Sequence, residues 1–305
     1  MRHFIDIGDF DRHHLESLLD EADGFVEILE RSIPKVPALR GKTVTTAFFE
    51  ASTRTRLSFE RAAKALSADT MSFAAGTSSL SKGESLKDTV QTLEAMGSDL
   101  LVVRHRSVGA ARRVADWTSI PVVNGGDGAH QHPTQALLDA LTIRRHFGKV
   151  EGLHIAIVGD IRHSRVARSD VLAFSALGAR VTLVAPRTLL PVVTDGWPVA
   201  VSPSLDEVLG EVDVVYLLRV QMERGGASVF PSLPEYVSRF GMTRERFAGL
   251  KPEAIVMHPG PMNRGVEIAD EVADDPRALV LNQVAMGVAV RMAVLFRLLG
   301  GELDE

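Results

Sequence analysis

The sequence predicts an α/β protein of two domains, each a parallel sheet with helices on both faces. Three observations carry that prediction. Runs of β-branched and apolar residues alternate with stretches of helical period from one end of the chain to the other, the pattern of strands joined by crossover helices. The 305 residues suit two compact domains of ordinary size. The segment 148–152, Gly-Lys-Val-Glu-Gly, closes one helix and opens a new strand. The boundary is therefore expected there, with residues 1–147 in the first domain and 148–283 in the second.

Along the first domain, 42–49 reads Lys-Thr-Val-Thr-Thr-Ala-Phe-Phe, a β-branched and aromatic run suited to a strand. Apolar residues at helical spacing follow at 53–66, 86–96, 109–117 and 134–147, with strand-like runs at 99–103 and 120–123 between them. The second domain opens on a strand at 153–158 and a helix at 164–177. It adds strands at 180–185, 213–218 and 254–257. The last helix, 284–299, is apolar on nearly every side. It is expected to be buried and to pack back on the first domain, which 284–305 then complete. No repeat of fixed period and no low-complexity segment is present.

Composition narrows the function. Hydrophobic residues make up 45% and charged residues 24%, a globular balance. The 34 basic against 39 acidic residues give a net charge of −5, which without a basic block argues against nucleic-acid binding but leaves room for a local basic pocket. There is no cysteine, which excludes disulfide scaffolds, zinc thiolates, iron–sulfur clusters and thiol nucleophiles. No signal-like start is seen, and no run of about 18 apolar residues is expected to span a bilayer. A soluble cytoplasmic protein is the expectation, with no membrane partner. Of the 34 basic residues only seven are Lys and 27 are Arg. Codon bias in a GC-rich genome accounts for such a ratio, and so does a need for bidentate anion contacts.

Several familiar motifs fail. Gly41-Lys42-Thr43 lacks the earlier glycine of a nucleotide-binding loop, Val36 standing there. The strand at 153–158 leads into Gly159-Asp160-Ile-Arg-His-Ser-Arg165 without the glycine pattern of a dinucleotide fold. His13-His14 and His130-Gln-His132 lack the spacing and acidic partner of a helical zinc site, and no serine-hydrolase elbow occurs.

Other motifs hold, and they fall where parallel sheets bind ligands, just beyond the carboxyl ends of strands. In Ser52-Thr53-Arg54-Thr55-Arg56 a strand passes directly into a helix. Ser52 suits an N-cap, and amides, hydroxyls and a guanidinium meet at the helix start, an anion site. An ordinary capped helix with an exposed Arg has the same sequence. Thr77-Ser78-Ser79-Leu80-Ser81-Lys82 suits an anion-binding loop or a plain solvated one. Arg104 ends an apolar strand, and His132-Pro133-Thr134-Gln135 precedes the helix at 136–147. A neutral His there can donate to a carbonyl oxygen. Arg165, Arg219 with Gln221, and His258-Pro-Gly-Pro-Met-Asn-Arg264 repeat the logic in the second domain. The expectation is a cleft lined by Arg, His, Lys and hydroxyl groups, for ligands carrying several negative charges.

Together, Ser52-Thr-Arg-Thr-Arg56, His132-Pro-Thr-Gln135 and His258-Pro-Gly-Pro261, in this order and spacing, resemble the carbamoyltransferases over essentially the whole chain. They resemble the aspartate-specific branch most. Ornithine-specific members carry His-Cys-Leu-Pro where this chain has His258-Pro-Gly-Pro261, and two guanidinium groups suit a dicarboxylate while repelling ornithine. The resemblance implies a transferase of pyrimidine synthesis that passes the carbamoyl group of carbamoyl phosphate to L-aspartate. It implies that Ser52, Thr53, Arg54, Thr55, Arg104, His132 and Gln135 bind carbamoyl phosphate, with the backbone of Gly260 and Pro261 holding its carbamoyl group. Thr55, Arg104 and His132 would donate to the carbonyl oxygen and Arg54 would stabilise the departing phosphate. Arg165, Arg219, Gln221 and Lys82 would bind aspartate. Lys82 and a loop serine (Ser78, with Ser79 and Ser81 as alternatives) would come from a neighbouring subunit of a homotrimer. No metal, cofactor or covalent intermediate is implied. The sequence leaves open whether regulatory or dihydroorotase-type chains join. A carbamoyltransferase for another amino acid and a catalytically silent relative kept for assembly are the competing readings. Ala51, where many relatives have Pro or Asn, and Arg106, where Pro is common, depart from the pattern.

Overall fold

The computed structural model describes residues 1–74, 84–194, 196–220 and 232–300. They form two compact units, one of Met1–Leu141 with the chain from Ala285 onward, the other of Thr142–Val284.

The first unit is built on a four-stranded parallel sheet of order β2-β1-β3-β4: β1 Thr43–Phe48, β2 Asp69–Ala74, β3 Leu100–His105 and β4 Val122–Asp127. Helices α1 (Arg12–Leu29), α2 (Thr53–Ala65), α3 (Leu86–Ala95), α4 (Ala110–Trp117) and α5 (Pro133–Phe147) flank it. Strand side chains alternate in direction. Ala47, Leu101, Val103 and Val122 join Val90 and Leu93 of α3 and Ala111 and Val114 of α4 in one apolar cluster. The intervening Val44, Leu100 and Val102 are equally buried. Strands covered on both sides read as near-continuous apolar runs, which is why the central ones stand out in the sequence.

Several elements do not stand out: β2 and α1 here, and in the second unit the strand at 199–202 and the helices at 233–240, 244–248 and 270–273. Asp69 and Ser72 break the apolar run of the edge strand β2, and the edge strand β7 (Val199–Ser202) is only four residues long. Helix α1 buries Leu15, Leu18, Leu19, Ala22, Phe25 and Val26 as a single stripe, and the Asp11 carboxylate caps it by accepting the His14 N–H at 2.9 Å. Its charged outer face dilutes that signal. β4 starts two residues later than the run at 120–123 and continues through Asn124-Gly-Gly-Asp127, polar residues that are nonetheless buried.

In the second unit a five-stranded parallel sheet has the order β7-β6-β5-β8-β9, with β5 His154–Val158, β6 Arg180–Val184, β8 Val214–Leu217 and β9 Ile255–Met257. Helices α6 (Arg165–Ala176), α7 (Leu233–Phe240), α8 (Arg244–Ala248) and α9 (Asp270–Ala273) accompany it. The chain leaves β5 at Gly159 with φ +120°, where a Cβ would lie 2.9 Å from the Tyr236 hydroxyl and 3.1 Å from the Leu218 carbonyl. Only glycine fits that turn.

Helix α10 (Val280–Leu299) begins a turn earlier than the sequence suggests. It packs on the first unit: Phe296 stacks edge-on against Phe25 at 5.8 Å, and Arg297 bonds Glu21 at 3.0 Å and the Ser17 hydroxyl at 2.9 Å. Burial is complete only over 289–295, while Leu281 and Val284 are 81% and 51% exposed. Contrary to expectation, this helix is long and apolar enough to cross a membrane. Half of that stretch is buried inside the protein, and its contacts make it a core helix of the first unit.

At the amino-terminal edge of the second sheet His154 is buried. Arg180 Nη2 donates to its Nδ1 at 2.8 Å, and its Nε2 lies 2.8 Å from Thr182 Oγ1. A guanidinium can only donate, so Nδ1 is the acceptor and the proton sits on Nε2. Burial first, then the Arg180 charge, hold its pKa below 6.5. Below that value the unfolded chain binds a proton that the folded one resists, so the full stability present above it is lost as pH falls. Urea unfolding between about pH 7.5 and about 5 should show this decline, and His154→Gln, which keeps a donor and an acceptor but does not titrate, should flatten it. An unchanged slope in that variant would assign the decline to other groups.

Candidate active site

Parallel register places the carboxyl ends of the strands along one edge of each sheet, and the motif residues follow those ends. After β1 the Phe49 N–H donates to the Arg104 carbonyl at 2.8 Å, and Glu50 and Ser52 lead into α2. Ser52 occupies the N-cap position in extended conformation, yet its side chain makes no capping bond. The hydroxyl cap expected from the sequence is therefore not formed. Orphan N–H groups at a helix start favour an anion. Thr55 is buried in that first turn, whereas Thr53 and Arg54 are exposed.

Arg104 stands opposite Phe48 in the sheet register. Its guanidinium, 12% exposed, is held by the Glu50 carboxylate at 3.5 Å and donates to the Gly125 carbonyl at 2.9 Å. His132 and Gln135 are both buried. Helix α5 starts at Pro133, one residue before the helical run at 134–147 and three before 136, so Gln135 lies within its first turn. Gln135 Nε2 donates to both oxygens of Asp139 at 3.1 Å. The loop before His132 is organised by Asp127, whose buried carboxylate accepts from Asn124 Nδ2 at 2.8 Å, the Gly109 N–H at 2.7 Å and the Gln131 N–H at 3.1 Å.

A further cation belongs to this unit. Arg291 of α10 is buried, donates from Nη1 to the Ser58 hydroxyl at 2.8 Å and the Gly287 carbonyl at 3.0 Å, and lies 5.0 Å over the Phe59 ring. Burial pushes its pKa down to about 10; Asp139 opposes that shift and the Arg104 charge adds to it.

In the second unit Arg165 is the first residue of α6 and is buried, behind a Ser164 hydroxyl that caps the Ala167 N–H at 3.1 Å. Asp160 fixes the preceding turn through His163 Nδ1 at 2.8 Å. Arg219 follows β8, which pairs with β5 so that Val158 stands opposite Leu217. The loop after β9 holds a cis Gly260–Pro261 bond. Here the His258 N–H donates to Gln283 Oε1 at 2.9 Å and the Gly260 N–H to His258 Nδ1 at 2.8 Å. Lys82, Ser78, Ser79, Ser81 and Gln221 lie outside the described residues.

Residues 2–145 match the family model described as aspartate/ornithine carbamoyltransferase, carbamoyl-P binding domain, and residues 151–298 match its Asp/Orn binding domain. The chain belongs to the aspartate/ornithine carbamoyltransferase family. It is 59% identical over 305 residues to the aspartate carbamoyltransferase catalytic subunit of Thermobifida fusca, covering 100% of this chain and 97% of that one. The corresponding subunit of Acidothermus cellulolyticus is 59% identical over 301 residues, with 99% and 93% covered. Among solved structures, aspartate transcarbamoylase from Trypanosoma cruzi in complex with carbamoyl phosphate and aspartate superposes with a TM-score of 0.90 at 32% identity, covering 98% of this chain and 97% of that one. The catalytic subunit of the M. jannaschii enzyme gives 0.86 at 37%, with 98% of each chain covered.

Within this carbamoyltransferase the motif residues rest on others that sequence reasoning did not single out: Glu50, Asp127, Asp139, Glu267 and Arg291. Arg291 had a signal, a lone charge in the middle of an apolar helix. The carboxylates had none, since nothing local distinguishes them from surface acids. Asp127→Ala leaves the Gly109 and Gln131 N–H groups without their acceptor and takes from Asn124 Nδ2 one of its two, the Ile5 carbonyl remaining. It should cost at least about 3 kcal/mol, the price of one or two such groups left unsatisfied, read as a lowered urea midpoint at unchanged slope. A loss below about 0.5 kcal/mol, the range of ordinary surface substitutions, would show that the loop before His132 does not depend on it.

Proposed function

We propose that this chain is the catalytic chain of an aspartate carbamoyltransferase: it transfers the carbamoyl group of carbamoyl phosphate to the amino group of L-aspartate, giving N-carbamoyl-L-aspartate and phosphate in de novo pyrimidine biosynthesis. The observation that carries the reading is identity of 59% along the full 305 residues to a catalytic subunit of that name. The aspartate preference has a physical basis in Arg165 and Arg219, which follow the neighbouring strands β5 and β8. Two guanidinium groups suit two carboxylates, and an ornithine ammonium would be repelled.

Ser52, Thr53, Arg54 and Thr55 take the phosphate at the start of α2, where no Ser52 cap competes for the amides. Arg104, Thr55 and His132 donate to the carbamoyl oxygen, on which negative charge grows as the amine attacks. Because Gln135 spends its Nε2 on Asp139, it offers Oε1, an acceptor suited to the carbamoyl NH2; the backbone of Gly260 and Pro261 completes that contact. The amine lone pair forms the new C–N bond, the C–O bond to phosphate breaks, and an oxygen of the departing phosphate takes the amine proton. Much of the acceleration then comes from holding two anions in orientation. Gln221 and Lys82 contact aspartate, Lys82 and Ser78 from a neighbouring subunit of a cyclic homotrimer in the cytoplasm. Purified chain should carbamoylate L-aspartate without added metal or cofactor. Turnover of ornithine exceeding that of aspartate would overturn the reading.

The shared site has its own test. Arg54→Ala and Lys82→Ala should each be nearly inactive, loss of one oriented charge-assisted donor typically costing about 10²–10³ in rate. After reversible dissociation and equal mixing, a site in a three-fold ring is intact when one chain supplies Arg54 and the next supplies Lys82. That holds for about one quarter of sites, and activity should recover to that fraction. No recovery despite demonstrated subunit exchange would place Lys82 in its own chain's site.

A further inference from the structure

Glu267 joins two loops to which the proposed reaction assigns substrate contacts. Its carboxylate is 1% exposed. Oε1 accepts the Val220 N–H at 2.7 Å and Asn263 Nδ2 at 2.6 Å, and Oε2 accepts the Asn263 N–H at 2.7 Å. Asn263 Nδ2 also lies 3.4 Å from the Val220 carbonyl. His258 accepts the Gly260 N–H at Nδ1, so its proton sits on Nε2, which points to Glu267 Oε2 at 3.9 Å. The Glu267 carbonyl takes the Met242 N–H at 2.9 Å, which ties the same residue to the start of α8. One carboxylate thus bonds the peptide immediately after Arg219 to the loop that carries Gly260 and Pro261.

Packing alone does not account for a carboxylate here. A buried carboxylate costs several kcal/mol in desolvation, and burial raises the pKa of this one. An apolar side chain would fill the space at lower cost, but it would leave two main-chain N–H groups without acceptors. Glutamine is no substitute either. Both Glu267 oxygens face main-chain N–H donors, so an amide NH2 in either orientation opposes one of them.

We propose that Glu267 is a positioning residue for the reaction. It fixes the backbone that carries Arg219 against the 258–263 loop, so that the aspartate-binding guanidinium is in place before substrate arrives. The inference rests on the role proposed for Arg219.

The test compares wild type, Glu267→Gln and Asn263→Ala in steady-state kinetics, with inorganic phosphate binding as a control on the first unit. Glu267→Gln should raise KM for L-aspartate about tenfold or more, the loss of one charge-assisted hydrogen bond. kcat should fall by less, and phosphate affinity should stay within about twofold, since no group the reaction assigns to phosphate contacts Glu267. Asn263→Ala keeps the main-chain bonds and should give a smaller rise. It also carries the test if Glu267→Gln does not fold, because an unchanged KM there then overturns the proposal. A folded Glu267→Gln with unchanged KM for aspartate, whatever its melting temperature, likewise overturns it. Absence of turnover in wild type would instead overturn the proposed reaction.

Discussion

Guanidinium groups repel one another, and a site for anionic ligands needs several of them close together and partly out of water. Each buried one must therefore be held by fixed acceptors that lower its cost without cancelling its charge. The first unit solves this in layers. Arg104 leans on the Glu50 carboxylate and the Gly125 carbonyl. Behind it Arg291 leans on the Ser58 hydroxyl and the Gly287 carbonyl, with Asp139 near enough to offset part of its burial. Neutral oxygens supply many of these bonds. A full complement of carboxylates would have removed the positive potential that an anion site requires.

The same layering links helix starts to the helix at the chain end. Ser58, bonded by Arg291, lies one turn beyond Arg54 and Thr55 on α2, and Asp139 lies one turn beyond Gln135 on α5. Arg291 therefore bears on both helices one turn below the residues assigned to carbamoyl phosphate. The space it fills is tight: a Cβ on Gly287 would come within 2.6 Å of Arg291 Nη1 and 3.1 Å of Leu138 Cδ2. A small residue at 287 lets the guanidinium lie against its own helix. In the second unit the corresponding support is anionic, Glu267 gathering main-chain N–H groups, because there the groups to be fixed are loops and not cations.

What the sequence reveals and conceals follows from the range of each interaction. Central strands are visible because burial on two faces leaves continuous apolar runs such as His154–Val158. The motif residues are visible because parallel topology puts them directly after those runs. Hidden are the contacts made across long separations. Glu50 with Arg104, Arg291 with Ser58 and Glu267 with Val220 join residues 54, 233 and 47 positions apart, and no local pattern marks either partner. Ser52 shows the converse limit: its residue type, its place and its extended backbone are those of a cap, yet its hydroxyl makes no capping bond.

The excess of Arg over Lys, 27 to seven, has different causes at different positions. On the surface either residue would serve, and base composition suffices to explain the choice. Arg104, Arg165 and Arg291 are different, because they are buried or nearly so. Burial brings Arg291 down to about 10, which still leaves it charged at neutral pH. A Lys ammonium starts at about 10.4, so the same burial would bring it toward neutrality and leave it uncharged part of the time. It would also lack the delocalised guanidinium that donates from Nη1 to the Ser58 hydroxyl and the Gly287 carbonyl while its central carbon lies 5.0 Å from the Phe59 ring centroid. At these positions the chemistry of holding a permanent charge out of water selects arginine, whatever the genome's composition contributes elsewhere.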